Sequence, residues 1–304
     1  MTEHQPKLAL GPVLYYWPQE KLLDFYERVS AAPLDIVYLG ETVCSKRRAF
    51  STEEWLALAE RLTAAGKEVI LSTMALLEAE SELKTLRRLC ENGRFTVEAN
   101  DMGAVRLLSE KGAAFVLGTG INVYSGRTLR FLAGLGAKRW VMPVELSRTT
   151  LAAIQAERPD QVETEVFVYG RLPLAYSARC FTARHHNLPK DDCRYRCLDD
   201  PEGLTLSTRE GQAFLAINGI QTQSAQTCNL LPELAELREL RVDALRISPQ
   251  AEGTAAVIEA FAACLRGERD PVEAARALNA ALPHGACDGY WRGQPGLRQV
   301  AELA

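Results

Sequence analysis

Residues 35–99 read DIVYLGETVCSKRRAFSTEEWLALAERLTAAGKEVILSTMALLEAESELKTLRRLCENGRFTVEA. The pattern predicts strand 35–40, helix 51–65, strand 67–72, helix 74–92 and strand 94–99. Helix 51–65 opens on Ser51 with Glu54 three residues on, the capping-box spacing that satisfies two free backbone N–H groups at a helix start. In 74–92, Leu76, Leu77, Leu83, Leu86 and Leu89 recur close to the helical period. Working outward, further strand-like runs fall at 7–17, 114–118, 139–143, 162–170 and 242–247, which brings the total to eight. Strands that alternate with helices pair in parallel through right-handed crossovers. Eight such units predict an α/β fold, a closed (β/α)8 barrel of the TIM type. An open doubly wound sheet is the alternative. Against it, Gly118-Thr119-Gly120 lacks the third glycine of a dinucleotide-binding turn, and no phosphate-binding P-loop motif occurs.

The rhythm breaks between 170 and 242. This interval is predicted to be an enlarged loop region after the seventh strand, a cysteine-bearing insertion at about 171–241. It has β-like pieces near 204–206 and 213–217 and a further segment at 221–231. A tail at about 269–304 reads as one more helix and an irregular end. The whole chain, 1–304, is expected to form a single barrel-like domain.

A chain of 304 residues with 47% hydrophobic content buries roughly three quarters of its unfolded surface, so its eight cysteines are not needed as disulfide staples. No basic segment followed by an apolar stretch opens the sequence, and no run is long enough to span a bilayer. The expected compartment is cytoplasmic, where thiols stay reduced and clustered cysteines are metal ligands or catalytic groups. A net charge of −4 argues against a sequence-independent nucleic-acid surface. Lys46, Arg47 and Arg48 form a local basic patch that is a candidate small-anion site.

Cys180, Cys193 and Cys197 follow the spacing C-x12-C-x3-C, and Cys44 lies far upstream, just past a strand end. In a barrel both groups fall on the C-terminal face, where active sites assemble. Four thiolates drawn from distant segments can close around one tetrahedral ion or around an iron–sulfur cubane. Zinc sites usually pair two C-x2-C units, and here only C-x3-C is close. A radical enzyme cleaving S-adenosylmethionine would need a further cysteine where Asp200 stands. Buried packing is the plain alternative, preferred for Cys90 and Cys264 and also chosen for Cys228 and Cys287. His185 and His186 are placed outside the ligand set. Glu165, Arg171 and Arg179 are candidate catalytic groups, as a proton carrier and as cationic forks for a carboxylate or for charge balance. Tyr15-Tyr16-Trp17 and Tyr290-Trp291 are read as core.

The run EVFVYGRLPLAYSARC at 165–180, the cysteine spacing, and YLGETVCSKRR at 38–48 together resemble the collagenase-like U-type peptidase family. The resemblance covers nearly the whole chain and is closest to the UbiV branch, which works in oxygen-independent ubiquinone synthesis. It implies that Cys44, Cys180, Cys193 and Cys197 are the ligands of a [4Fe-4S] cluster. Glu165 to Gly170 matches the opening half of the peptidase signature, E-x-F-x-x-G. The second half, G-x-C-x-x-S, is absent. The resemblance further implies anaerobic hydroxylation of an aromatic quinone precursor as a heterodimer with a UbiU-like sister subunit, the lipid being presented by a UbiT-like carrier. A peptidase and a non-catalytic stabilising subunit remain the alternative functions.

Overall fold

The computed structural model describes residues 4–301; the outermost residues of the expected 1–304 unit lie outside that range. The strands in chain order are β1 (Lys7–Leu10), β2 (Ile36–Leu39), β3 (Glu68–Ser72), β4 (Thr96–Ala99), β5 (Phe115–Leu117), β6 (Ala137–Val141) and β7 (Glu163–Tyr176). They continue with β8 (Leu204–Ser207), β9 (Ala213–Asn218), β10 (Gln221–Asn229), β11 (Ala244–Ile247) and β12 (Ala286–Cys287). The helices are α1 (Gln19–Ala31), α2 (Thr52–Ala64), α3 (Glu80–Cys90), α4 (Met102–Glu110), α5 (Gly126–Gly134) and α6 (Arg148–Gln155). After them come α7 (Phe181–His185), α8 (Leu234–Glu239), α9 (Thr254–Leu265) and α10 (Pro271–Asn279).

β1 to β7 pair in parallel in sequence order, and β11 pairs in parallel with both β1 and β7, which closes an eight-stranded barrel. The expected (β/α)8 fold is the observed one. Strand alternation divides the core. Leu8, Leu10, Val37, Leu39, Val69, Leu71, Phe115 and Leu117 point outward into the helix layer. Ala9, Ile36, Tyr38, Ile70, Val116, Val141 and Ala244 form a separate cluster in the lumen. That division is the period-2 geometry of a strand covered on both faces.

Three boundaries differ from the sequence reading. The first strand stops at Leu10, before Gly11-Pro12, because proline cannot donate to a ladder. The helix expected from residue 74 starts at Glu80. Glu82 Oε2 accepts the Glu78 and Ala79 N–H groups and fixes the start there. The seventh strand does not stop at Gly170 but runs on to Tyr176, because β10 pairs with it antiparallel. The expected loop is therefore in part a sheet. β10 pairs with β9 and β9 with β8, all antiparallel, so a cap of three strands grows out of the barrel wall. β12, in the C-terminal tail, pairs in parallel with β10. No helix among the described residues is long and apolar enough to cross a membrane.

Candidate functional site

Cys44 stands in the loop after β2. Gly40 ends that strand at φ +136, and a Cβ there would meet Ser72 O at 2.5 Å, so only glycine lets the chain turn against β3. Glu41 then accepts the N–H groups of Val43 at 2.8 Å and Cys44 at 3.0 Å and folds the loop back on itself. Burial pushes the Glu41 carboxyl up, opposed by Arg47 and those two N–H groups.

Arg47, one of the three residues of the expected basic patch, is a buried structural cation. Arg47 is 4% exposed. Its guanidinium donates to Leu14 O at 3.0 Å, Asn218 O at 3.1 Å and Asn218 Oδ1 at 2.5 Å. Lys46 points elsewhere and pairs with Asp191 at 2.7 Å. Arg48 is exposed; all three line one groove, but the Lys46 and Arg47 heads are already engaged.

The other three cysteines sit in the cap. Cys180 precedes α7, and its sulfur accepts the Ala183 N–H at 3.4 Å. Cys193 follows one 3-10 turn and Cys197 lies in the next. Between them Arg194 and Tyr195 both have φ +51. Two adjacent non-glycine residues in the left-handed region cost of order 1–3 kcal/mol each and persist only where the surroundings impose them. Asn218 ties this turn to the Cys44 loop: it accepts from Arg47 and donates to Cys197 O at 3.3 Å and Asp200 O at 3.1 Å. Gly219 makes that possible. It opens the two-residue β9–β10 turn at φ +71, and a Cβ there would lie 2.7 Å from Arg47 Nη2.

The loop and the cap leave the four predicted cysteines within electrostatic range of one another. Burial pushes the Cys197 thiol up to about 11; Arg47 pulls it down, and the charges of Cys180, Cys44 and Cys193 push it further up. Burial also raises the Cys44 thiol, with the Lys46 N–H and Arg47 opposing it and Cys180 among the charges it feels. Cys44 and Cys180 pack against the same small apolar cluster of Leu14, Val43 and Ile220. All eight cysteines are free thiols. Among the described residues, no three Cys, His, Asp or Glu side chains are gathered tightly enough to hold a single metal ion. The thiols are near neighbours in electrostatic range, not a compact one-ion ligand set.

Glu165 lies elsewhere, deep in the barrel lumen at 0% exposure. Tyr38 Oη donates to it at 2.5 Å and Arg246 Nε at 2.5 Å, and Arg139 is 3.9 Å away. Arg246 also faces Glu98, at 2.8 Å, and lies 4.0 Å over the Tyr38 ring. Burial and the Glu165 charge hold the Tyr38 phenol well above its ordinary range. This is a closed ionic lattice between β2, β4, β6, β7 and β11. The cavity above it, at the barrel mouth, measures about 30 Å³, room for about one water molecule. Arg171 is buried and holds the cap by donating to Glu202 O. Arg179 is exposed beside Cys180. Cys228 and Cys287 are buried opposite each other in the β10–β12 pair, and Cys90 and Cys264 are buried on the inner faces of α3 and α9. Tyr15, Trp17 and Trp291 are core, as read from the sequence.

Sequence reasoning missed the role of Arg47 and Asn218. The available signal was Asn218-Gly219 between two β-like runs, which marks a hairpin turn. Nothing local pairs it with residue 47.

The fold and site define a (β/α)8-barrel protein whose seventh strand extends into a cysteine-bearing antiparallel cap. The model of peptidase family U32 matches residues 23–299, and the chain belongs to that family. It is 27% identical over 162 residues to tRNA hydroxylation protein P of Escherichia coli (strain K12), a match covering 50% of this chain and 35% of the relative. Over 90 residues it is 32% identical to tRNA hydroxylation protein P of Haemophilus influenzae, covering 29% of this chain and 19% of that one. The matches therefore span about a third or less of these curated relatives. Among solved structures, the U32 peptidase Mk0906 aligns with a TM-score of 0.46 at 12% identity, covering 83% of this chain and 96% of that one.

Proposed function

We propose that this chain is a UbiV-like, cluster-bearing subunit of an oxygen-independent hydroxylase. Its ligands are Cys44, Cys180, Cys193 and Cys197, its substrate is an aromatic ubiquinone precursor, and it works anaerobically in the cytoplasm with a UbiU-like sister subunit and a UbiT-like lipid carrier. The observation that supports the reading is the tie between the Cys44 loop and the cap through Arg47 and Asn218, with Cys44 and Cys180 packed against one apolar cluster and Cys193 and Cys197 within electrostatic range. The left-handed pair Arg194-Tyr195 adds support, because strain between two cysteines is what a shared ligand would hold in place. The curated relatives carry hydroxylation in their names.

A bound [4Fe-4S] cluster supplies one-electron transfer, the chemistry needed when a ring is oxidised without dioxygen. The chain's own groups prepare that site. Arg47 places a fixed positive charge beside thiols that must ionise. The Asn218 bridge ties the cap to the Cys44 loop, and the Arg171–Glu202 contact ties it to β7.

Anaerobic purification with iron and sulfide analysis tests this reading. Roughly four of each per chain supports it, and one zinc without sulfide overturns it. Replacing Cys193 and Cys197 in the intact heterodimer should abolish anaerobic quinone production; unchanged production means a stabilising subunit instead. Hydroxylation of tRNA without effect on quinones would move the substrate to that named for the relatives. Casein hydrolysis by metal-free protein would restore the peptidase alternative.

A further inference from the structure

Each cap cysteine is flanked by an exposed arginine and has an exposed apolar side chain within two residues. One segment reads Arg179-Cys180-Phe181, the other Cys193-Arg194-Tyr195-Arg196-Cys197-Leu198. Phe181, Tyr195 and Leu198 are 38%, 43% and 37% exposed. Single exposed apolar residues are ordinary on a protein surface, but a cluster rimmed by polar groups marks a contact site. The two segments form one surface, because α7 packs against the turn of Arg196–Leu198. Tyr195 stands at φ +51 with its ring 5.7 Å from that of Tyr16, so backbone and neighbour together hold it in place at the surface.

The charge of this face has a sign. Across 177–202, Asp191 pairs with Lys46, Asp192 with Arg194, Asp199 with Arg196 and Glu202 with Arg171. Among the described residues Asp200 is the one carboxylate of that stretch without an ion pair. Arg179 and Arg184 there, and Arg48 in the Cys44 loop, make none either, and all three are exposed. Three free guanidinium groups thus stand against one free carboxylate, on a chain whose net charge is −4.

We infer that this face docks an acidic one-electron carrier protein; the inference rests on the cluster-bearing reading above. Tyrosine and arginine are the residue types that dominate protein contacts, and a cationic rim steers an acidic partner onto them. Three apolar groups inside a short rim match the size of electron-transfer encounters, which bury less than about 1,200 Å². The face is made of the residues bonded to the cysteines and their nearest neighbours, so a partner seated on it comes as near the thiols as the chain allows. Each encounter passes one electron, one protein being oxidised and the other reduced, with no bond made or broken. A nucleic-acid strand would meet the same cations, but three free arginines release few counterions and give little affinity at physiological salt.

The full chain, purified anaerobically, is titrated with a plant-type ferredoxin, an acidic carrier, and with cytochrome c, a basic one. Binding is followed by interferometry at about 20 mM and about 300 mM salt, on either side of the 0.1 M at which charges are screened beyond ~10 Å. The expected result is saturable binding of ferredoxin, weakened at least about tenfold at the higher salt, and none of cytochrome c. Arg179→Gln combined with Arg184→Gln should weaken ferredoxin about tenfold, chiefly through the on-rate, and flatten the salt dependence. Tyr195→Gly removes the ring and relieves the positive φ, so binding should fall about tenfold while the melting temperature does not. Binding equal to the parent's in either variant, or cytochrome c bound as tightly as ferredoxin, overturns the assignment. So does tighter binding of single-stranded RNA, or loss of the ferredoxin signal once the sister subunit is bound, since the face is then a nucleic-acid or a subunit contact. Iron and sulfide are measured on the same samples. Full iron and sulfide without ferredoxin binding sinks the docking face and spares the cluster reading, whereas ferredoxin binding without iron or sulfide sinks the cluster and the carrier with it.

Discussion

Replacing Arg47 by methionine tests how the cap is held to the barrel. Methionine keeps most of the side-chain volume and removes the guanidinium. Three hydrogen bonds from a buried cation disappear, and Leu14 O, Asn218 O and Asn218 Oδ1 each lose a donor. Hydrogen bonds to a charged group contribute about 1.5–3 kcal/mol each, but two of these share Asn218 and are not independent. Glu41 loses the cation 3.9 Å away while staying largely buried. Removing one member of such a buried set costs about 3–5 kcal/mol, a large part of the ~5–15 kcal/mol that keeps a domain folded. Urea unfolding of metal-free protein reads this directly. Because Asn218 also holds the Cys197 turn, Asn218→Ala should couple to Arg47→Met by at least about 1 kcal/mol in a double-mutant cycle. A loss below about 1 kcal/mol for Arg47→Met, or strict additivity with Asn218→Ala, would refute the claim that this pair joins loop to cap.

Three more outcomes are expected. Glu165→Gln should lower stability by about 3 kcal/mol, because Arg246 and Tyr38 remain buried with their anionic partner neutralised; thermal melts compared with an exposed Glu→Gln variant check it. Gly219→Ala should cost about 1–3 kcal/mol through its positive φ and the approach to Arg47, and hydrogen exchange should quicken in β9 and β10 while β2 to β5 stay protected. Cys90 and Cys197 rise from 9.0 to about 11 on folding, so the protonated forms favour the folded state. In metal-free protein that stability is complete below pH 9 and is lost as the pH passes through 11, about 1.4 kcal/mol per unit and so about 3 kcal/mol for each thiol. Cys197→Ser should remove its share of the slope in urea midpoints measured across that range.

The eight barrel strands could be read from the sequence because each is a local apolar run between helical patterns, and a two-sided buried strand needs nothing distant to declare itself. Ser51 and Glu54 behaved as their spacing predicts, closing a capping box at the start of α2. The loop cysteine and the cap trio were legible as a set by residue type alone. The joining of loop to cap was not, for it depends on a guanidinium 33 residues from Leu14 and 171 from Asn218. The length of β7 was likewise set by β10, some fifty residues downstream, since a strand continues wherever a partner offers backbone groups. Glu165 stood in an inviting motif, yet the barrel turned its carboxylate into the lumen, where Arg246 and Tyr38 occupy it. Residue type and period are carried by neighbours along the chain. Which buried charges face one another is decided only when the barrel closes, because the desolvation that makes those pairings count exists only in the folded state.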